Sequence, residues 1–469
     1  MSKKAFRVIG VCASALIIAA LLAAQPVPER AGAVPVEYRA YLPLVFKDYS
    51  SIIIPNDTYF PFQWGLNNTG QSGGTPDADI DAPEAWGVTT GSSNVIVAIV
   101  DTGVDLDNPE FAGRLVAGWD YVNGDSIPDD DNGHGTHVAG ITGATGNNGS
   151  GVAGVAWGVR IMPVKVLDNA GNGSGYDVAD GITFAVDNGA KVINLSLSGP
   201  NDLAPIHDAV NYAVAHGVTV VAAAGNCGDP EHLQSNCNGV NSVAYPAAYP
   251  GVLAVAATDR ADARASFSTQ SWYVDVAAPG ASILSTWWDG SYYWSSGTSM
   301  ASPFVAGLAG LILSVYPYYT PTQVAEAIVN NADDLGPAGH DDAFGCGRIN
   351  AYKSLLNGAV SSGCDGWTGA SATASVAAVP TSIPAGAEYR PGVLLVKFKD
   401  SATPDERSKA LHGRGLAVGR TLKSLDVNEV VVPPGREEYY FHALNADPAV
   451  AYAEPDYLFR AIPIEPRAD

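Results

Sequence analysis

Five apolar runs, at 94–100, 160–167, 191–197, 219–224 and 252–257, are separated by stretches of helical composition at 134–145, 175–188 and 204–215. A further helix is expected at 302–315. Runs that are apolar at nearly every position, not every second one, read as strands buried on both faces. Strands that alternate with helices join in parallel through right-handed crossovers, which place helices on both sides of the sheet. The expected fold class is therefore α/β, with three layers and a mainly parallel central sheet. In such a sheet the chemistry sits at the carboxyl ends of the strands. Asp101 directly follows the first run, and Asn226 closely follows the fourth.

Three glycine-rich islands stand out: Asp101-Thr102-Gly103, His134-Gly135-Thr136-His137 and Gly297-Thr298-Ser299-Met300-Ala301-Ser302-Pro303. A serine hydroxyl is a weak nucleophile until a base takes its proton and an anion holds that base. Each island alone has a plainer reading: a helix-capping serine, a surface histidine, a turn. The pair His134 and His137 does not read as a metal site, because the zinc-protease helix needs His-Glu-x-x-His.

Composition narrows the class further. The net charge is −23, which disfavours nucleic acid as a partner. Residues 34–387 hold 34 acids and 10 bases, whereas 388–469 hold 13 and 11, so the chain reads as two parts of different character. Lys3, Lys4 and Arg7 precede an apolar run from 8 to 24, and Ala31-Gly32-Ala33 offers a small-x-small cleavage site. Residues 1–33 thus read as an export signal, with an uncleaved anchor as the alternative because the run is near the length of a membrane span. No other segment reads as long and apolar enough to span a bilayer. The expected location is extracellular, as a monomer free of the membrane once the signal is removed. Four cysteines remain after the signal, Cys227, Cys237, Cys346 and Cys364. Their even number in an exported chain suggests disulfides, and local pairing is the simplest of three connectivities. Zinc is the alternative, but no Cys-x-x-Cys supports it.

Residues 34–54 read as a leader, 55–358 as the main domain, and 359–387 as a linker whose 366–387 stretch is rich in Ala, Ser, Thr and Pro. Residues 388–469 read β-α-β-β-α-β, with strands at 393–399, 416–422, 428–432 and 450–459 and helices at 404–412 and 436–445. That is a small α+β unit of ferredoxin-like type.

The islands, together with Val-Ile-Asn-Leu-Ser-Leu (192–197) and Ala-Ala-Gly-Asn (223–226), occur in the order found in subtilisin-like serine proteases. Over about 55–355 the chain resembles that family, and in particular its thermitase and fervidolysin group. The resemblance implies a secreted endopeptidase with Ser299 as nucleophile, His134 as general base, Asp101 as its orienting anion and Asn226 as an oxyanion donor. It implies that a polypeptide substrate lies between two backbone edges, Gly173-Ser174-Gly175 and Leu195-Ser196-Leu197-Ser198-Gly199. Ala223, Ala224 and Gly225 would line the pocket, with Ala244 as its floor. No acid stands at that floor, so a large apolar residue before the cut is expected.

The resemblance also implies structural Ca²⁺ at two loops. The first would use Gly146, Asn148, Ser150 and Val152 with Asp57 and Glu110, the last standing where the best-known members have Asp. The second would use Asp120, Asn123, Asp125 and Asp129. The C-terminal unit, through 389–398 and Ala453-Glu454-Pro455-Asp456-Tyr457, resembles the inhibitor-like propeptide of these proteases, which in relatives comes first. It is expected to bind the protease in cis and to aid folding or restrain activity. A catalytically silent binding relative is the alternative; it would lack one of Asp101, His134 or Ser299, and all are present.

Overall fold

The structure, a computed structural model, describes residues 51–234, 236–360, 363–365 and 381–461. The export signal and most of the leader lie outside these. Fifteen strands occur in chain order among the described residues: β1 Ile96–Asp101, β2 Trp119–Asp120, β3 Arg160–Lys165, β4 Asn172–Ser174, β5 Val192–Leu195, β6 Leu197–Ser198, β7 Thr219–Ala223, β8 Val252–Thr258, β9 Val276–Pro279, β10 Ile283–Thr286, β11 Tyr292–Ser295, β12 Tyr389–Phe398, β13 Ala417–Leu422, β14 Val427–Val431 and β15 Val450–Ala461. The helices are α1 Ala82–Trp86, α2 His134–Gly143, α3 Gly175–Asp187, α4 Ala204–Ala215, α5 Thr298–Val315, α6 Pro321–Val329, α7 Ala351–Asn357, α8 Pro404–His412 and α9 Glu437–Asn445.

A seven-stranded sheet runs β2-β3-β1-β5-β7-β8-β9, with every pair parallel. Each expected run contributes a strand, although 191–197 breaks at Ser196 into β5 and β6, and β9 at the sheet edge is one that periodicity did not single out. Strand alternation divides the core in two. Val97 and Ile99 point to the face covered by α2 and α5, where Val138, Phe304 and Leu308 pack. Ala98 and Val100 point to the other face, against Ile182 of α3 and Ile206 of α4. Both faces are therefore dry, which is why the runs carry no polar alternation.

Helix α5 begins at Thr298, not at the expected 302, and carries Pro303 inside it. A proline has no N–H for the carbonyl four residues earlier, here that of Ser299. Ser196 Oγ donates to that carbonyl instead, at 2.9 Å. By length and composition α5 could cross a membrane, contrary to expectation, yet it is 89% buried in the core.

The C-terminal strands form an antiparallel sheet in the order β13-β14-β12-β15, the ferredoxin-like arrangement. One face packs on its own α8 and α9 through Leu394, Val396, Leu411 and Phe441. The other, with Leu395, Val427, Tyr457 and Phe459, belongs to the same apolar cluster as Tyr176 of α3 and Leu203 before α4. Disulfides join Cys227 to Cys237 and Cys346 to Cys364. The second ties the chain down beyond 358, and His340 N donates to Asp365 O at 2.9 Å. The expected linker start is therefore bound to the core up to that point.

Candidate active site

Strand β1 ends at Asp101 and α2 begins at His134, and their side chains meet: Nδ1 lies 2.7 Å from Asp101 Oδ1. Both residues are buried. Close backbone approach makes this contact geometrically available. Gly103 has φ +107°, and a Cβ on Gly135 would stand 2.0 Å from the Gly103 carbonyl oxygen. Asp130, which sequence reasoning missed, knits the two motifs together. Its carboxylate accepts from Thr102 Oγ1 (2.9 Å), Gly133 N (3.0 Å), Thr136 N (2.9 Å) and Thr136 Oγ1 (2.6 Å). Gly135 N in turn donates to Thr102 Oγ1 at 2.9 Å. The run of four acids and amides before His134 was the signal, but it reads equally as a solvated loop. His137 faces away: its Nε2 bonds the Tyr293 carbonyl at 2.9 Å. Burial pushes its pKa down to about 3, so the ring stays neutral.

Ser299 lies in the first turn of α5, which packs directly on α2. Its hydroxyl donates to Ser196 O at 3.1 Å. Among the described residues His134 Nε2 has no hydrogen-bond partner, so the serine–histidine bond is not formed here. Serine turns about one torsion, and such bonds commonly tighten only around substrate. Asn226 follows β7, and its Oδ1 accepts from Thr298 N (3.0 Å) and Thr298 Oγ1 (2.9 Å). That fixes the amide and leaves Nδ2 as a donor. The point where a Gly297 Cβ would stand is 3.1 Å from Asn226 Nδ2 and 3.7 Å from Ser299 N. Two nitrogen donors thus lie close to one small volume beside Gly297, an arrangement suited to a developing oxyanion.

The two expected substrate edges are β4 with Gly175 and β6 with its neighbours, and a strand already runs between them. β15 pairs antiparallel with β4, Leu458 opposite Ser174 and Phe459 opposite Gly173. It also pairs antiparallel with β6, Ala461 opposite Leu197. Ala461 N donates to Gly171 O at 2.8 Å. Phe459 is fully buried, in space that glycines leave: a Cβ on Gly199 would approach its ring to 2.8 Å. Behind this, Tyr245 N donates to Gly199 O at 3.0 Å, which brings Ala244 beside the edge. Gly225 faces it, a Cβ there reaching 3.2 Å from Ala244 Cβ.

β15 also meets the amino ends of two helices. Glu454 Oε2 accepts from Ala204 N of α4 at 2.9 Å, and Asp456 Oδ1 accepts from Tyr176 N of α3 at 3.0 Å. α4 has no side-chain cap of its own. Acids two apart on a strand share one face, a signal present in Glu-Pro-Asp but without a visible partner in the sequence. Burial pushes Glu454 up to about 8 and Asp456 up to about 7. Around them bases of the C-terminal unit meet acids of the main part: Arg420–Asp177 at 2.8 Å and Lys397–Asp208 at 2.7 Å. Arg420 also lies 4.4 Å over the Tyr176 ring.

At the first expected calcium loop, Asp57 accepts from Asn147 N at 2.6 Å and Asn148 N at 3.3 Å. Asn148 Oδ1 is turned to Ser150 N at 2.8 Å. Glu110 is buried, one oxygen accepting from Tyr292 Oη at 2.7 Å and Oε2 having no partner among the described residues. The longer side chain fits because Gly151 leaves room; a Cβ there would lie 1.7 Å from Glu110 Oε1. An orphaned buried carboxylate oxygen near a second carboxylate and a carbonyl-rich loop suits a hard cation. At the second expected loop the acids likewise accept from backbone amides. Asp120 accepts from Val122 N and Asn123 N, Asp125 from Ile127 N and Asp129 from Leu106 N. Among the described residues no group of three or more His, Cys, Asp or Glu is placed to hold a metal.

Residues 92–347 match the family model of the subtilase family. Residues 376–456 match the fervidolysin N-terminal prodomain, here following the protease part. Thermitase of Thermoactinomyces vulgaris is 46% identical over 302 residues, covering 64% of this chain and 99% of that protein. Subtilisin DY of Bacillus licheniformis is 41% identical, covering 59% and 96%. A solved protease of Pseudoalteromonas arctica PAMC 21717 is 32% identical with a TM-score of 0.56, covering 65% of this chain and 99% of that one.

Proposed function

The chain belongs to the subtilase family and is a serine endopeptidase, and from that premise we propose that Asp101, His134, Ser299 and Asn226 carry its chemistry. Ser299 Oγ adds to the scissile carbonyl while His134 Nε2 takes its proton. Asp101 holds Nδ1–H and stabilises the imidazolium, and the oxyanion meets Asn226 Nδ2 and Ser299 N. His134 then protonates the leaving amine, and water releases the acyl group by the reverse sequence. The observation that carries this reading is the pair of N–H donors around Gly297 beside the 2.7 Å His134–Asp101 contact. A serine-directed phosphonyl probe is expected to label Ser299 alone, faster as the C-terminal unit is displaced. Absence of label on folded, displaced protein would sink the assignment.

The substrate is a polypeptide bound as an added strand, which gives affinity through backbone bonds with broad side-chain tolerance. The absence of an acid at Ala244 favours a large apolar residue before the cut. We read β15 as an occupant of that same groove, so the C-terminal unit restrains the enzyme in cis and assists its folding. Its full separation requires a cut within 366–387. Export is supported by the signal-like N-terminus and the two disulfides. Ca²⁺ would be held by Asp57, Glu110, Asn148 and the carbonyls of Gly146, Ser150 and Val152, tying the 55–60 segment to the loop. Chelator is expected to shorten the half-life of thermal inactivation severalfold; an unchanged half-life removes the calcium reading.

A further inference from the structure

The first specificity pocket is built from two backbone segments, the turn 223–226 after β7 and the floor at Ala244. A single buried side chain joins them from behind. Tyr273 Oη donates to Ala224 O at 2.9 Å and accepts from Ala244 N at 3.2 Å. Tyr273 is 6% exposed, and its ring sets edge-on to Trp272 at 5.6 Å. The segment that carries it braces the same wall at successive residues. Thr269 N donates to Gly225 O at 3.0 Å and Gly228 N to Phe267 O at 2.8 Å. Cys227 N donates to Thr269 Oγ1 at 3.0 Å. Wall and floor come close at Gly225, where a Cβ would stand 3.2 Å from Ala244 Cβ.

A phenol is a rigid spacer of fixed length. One hydroxyl that both donates to the wall and accepts from the floor sets their separation more tightly than two independent contacts. Burial raises its pKa, so it stays neutral and keeps both bonds. We infer that Tyr273 is a specificity-determining residue that sets the width of the first pocket, and with it the preference for large over small apolar residues before the cut. This rests on the pocket reading above.

The test is internal competition in the full chain between two peptides that differ only in phenylalanine or alanine before the cut. The ratio of their kcat/KM values does not depend on the fraction of enzyme that is active, so loss of stability or altered restraint leaves it unmoved. Tyr273→Phe leaves a buried carbonyl and a buried N–H unpaired and is expected to lower the phenylalanine-to-alanine ratio about fivefold to tenfold. Ala244→Val, which fills the floor, is expected to lower it further. An unchanged ratio in Tyr273→Phe with a fall in Ala244→Val overturns the role of Tyr273. An unchanged ratio in both overturns the pocket assignment itself.

Discussion

Ser299→Ala is expected to lower peptide turnover about 10⁶-fold, the scale measured when the nucleophile is removed from subtilisin itself. The thermal midpoint should fall by no more than a few degrees and the C-terminal unit stay docked, since among the described residues the hydroxyl makes one hydrogen bond, to Ser196 O. The effect is large because the residues act as a unit. With no hydroxyl to deprotonate, the His134–Asp101 pair keeps its contact and has no task. The two donors beside Gly297 then stabilise only what water can generate. Measuring kcat in the same preparation as the melting curve separates chemistry from folding. Retention of more than about 1% of turnover would mean that another nucleophile operates.

Phe459→Asp in the full chain is expected to raise hydrolysis of a short fluorogenic peptide at least about 10²-fold. Phe459 fills the space between Gly199 and Gly175 with no exposure to water. Deleting a buried phenyl typically costs about 3–5 kcal/mol, and about 1.4 kcal/mol is a factor of ten. The β15 backbone pairing alone then competes less well with substrate. Unchanged activity would mean that the strand does not restrain the enzyme.

Rising pH should act in the same direction. Burial raises Glu454 from 4.5 to about 8 and Asp456 from 3.8 to about 7. Docking therefore takes up protons: it is fully favoured below the free values and loses strength as pH climbs to the docked ones. Each group contributes up to about tenfold per pH unit within that window. In a Ser299→Ala background, where nothing is cut, binding of a fluorescent peptide should strengthen between about pH 6 and 8 by these factors. Glu454→Gln keeps an acceptor for Ala204 N and should flatten the response. Weaker peptide binding as pH rises would reverse the sign and reject the linkage.

Much of this site is legible in the chain because its parts are local. A strand apolar on every residue must be covered on both faces, so β1 and the position of Asp101 at its end follow from 94–103. The glycines of His134-Gly135 and Gly225-Asn226 are visible because close backbone contacts exclude any side chain. What escapes is what depends on a distant partner. Pro303 suggests a helix starting beside it, yet α5 starts a turn earlier because Ser196, over a hundred residues away, satisfies the carbonyl that the proline cannot. Asp130 reads as a surface acid until Thr102 and Thr136 are seen to donate to it. The acids of 120–129 look like ligands in the sequence, and the backbone amides they accept from are not visible there. The alternation of Tyr457 and Phe459 marks a strand, but nothing in it names β4 and β6 as neighbours.

Order of synthesis gives the capped helix ends a further meaning. Ala204 N and Tyr176 N are met by carboxylates 250 and 280 residues later in the chain. At about 5–20 residues per second, translation reaches those acids about 10–60 s after the helices have been made. The protease part is thus the elder half of the molecule and waits for the younger. The strand that completes its helices also pairs with β4 and β6, so under the proposed restraint maturation of the fold and the silencing of the enzyme would be a single event in time.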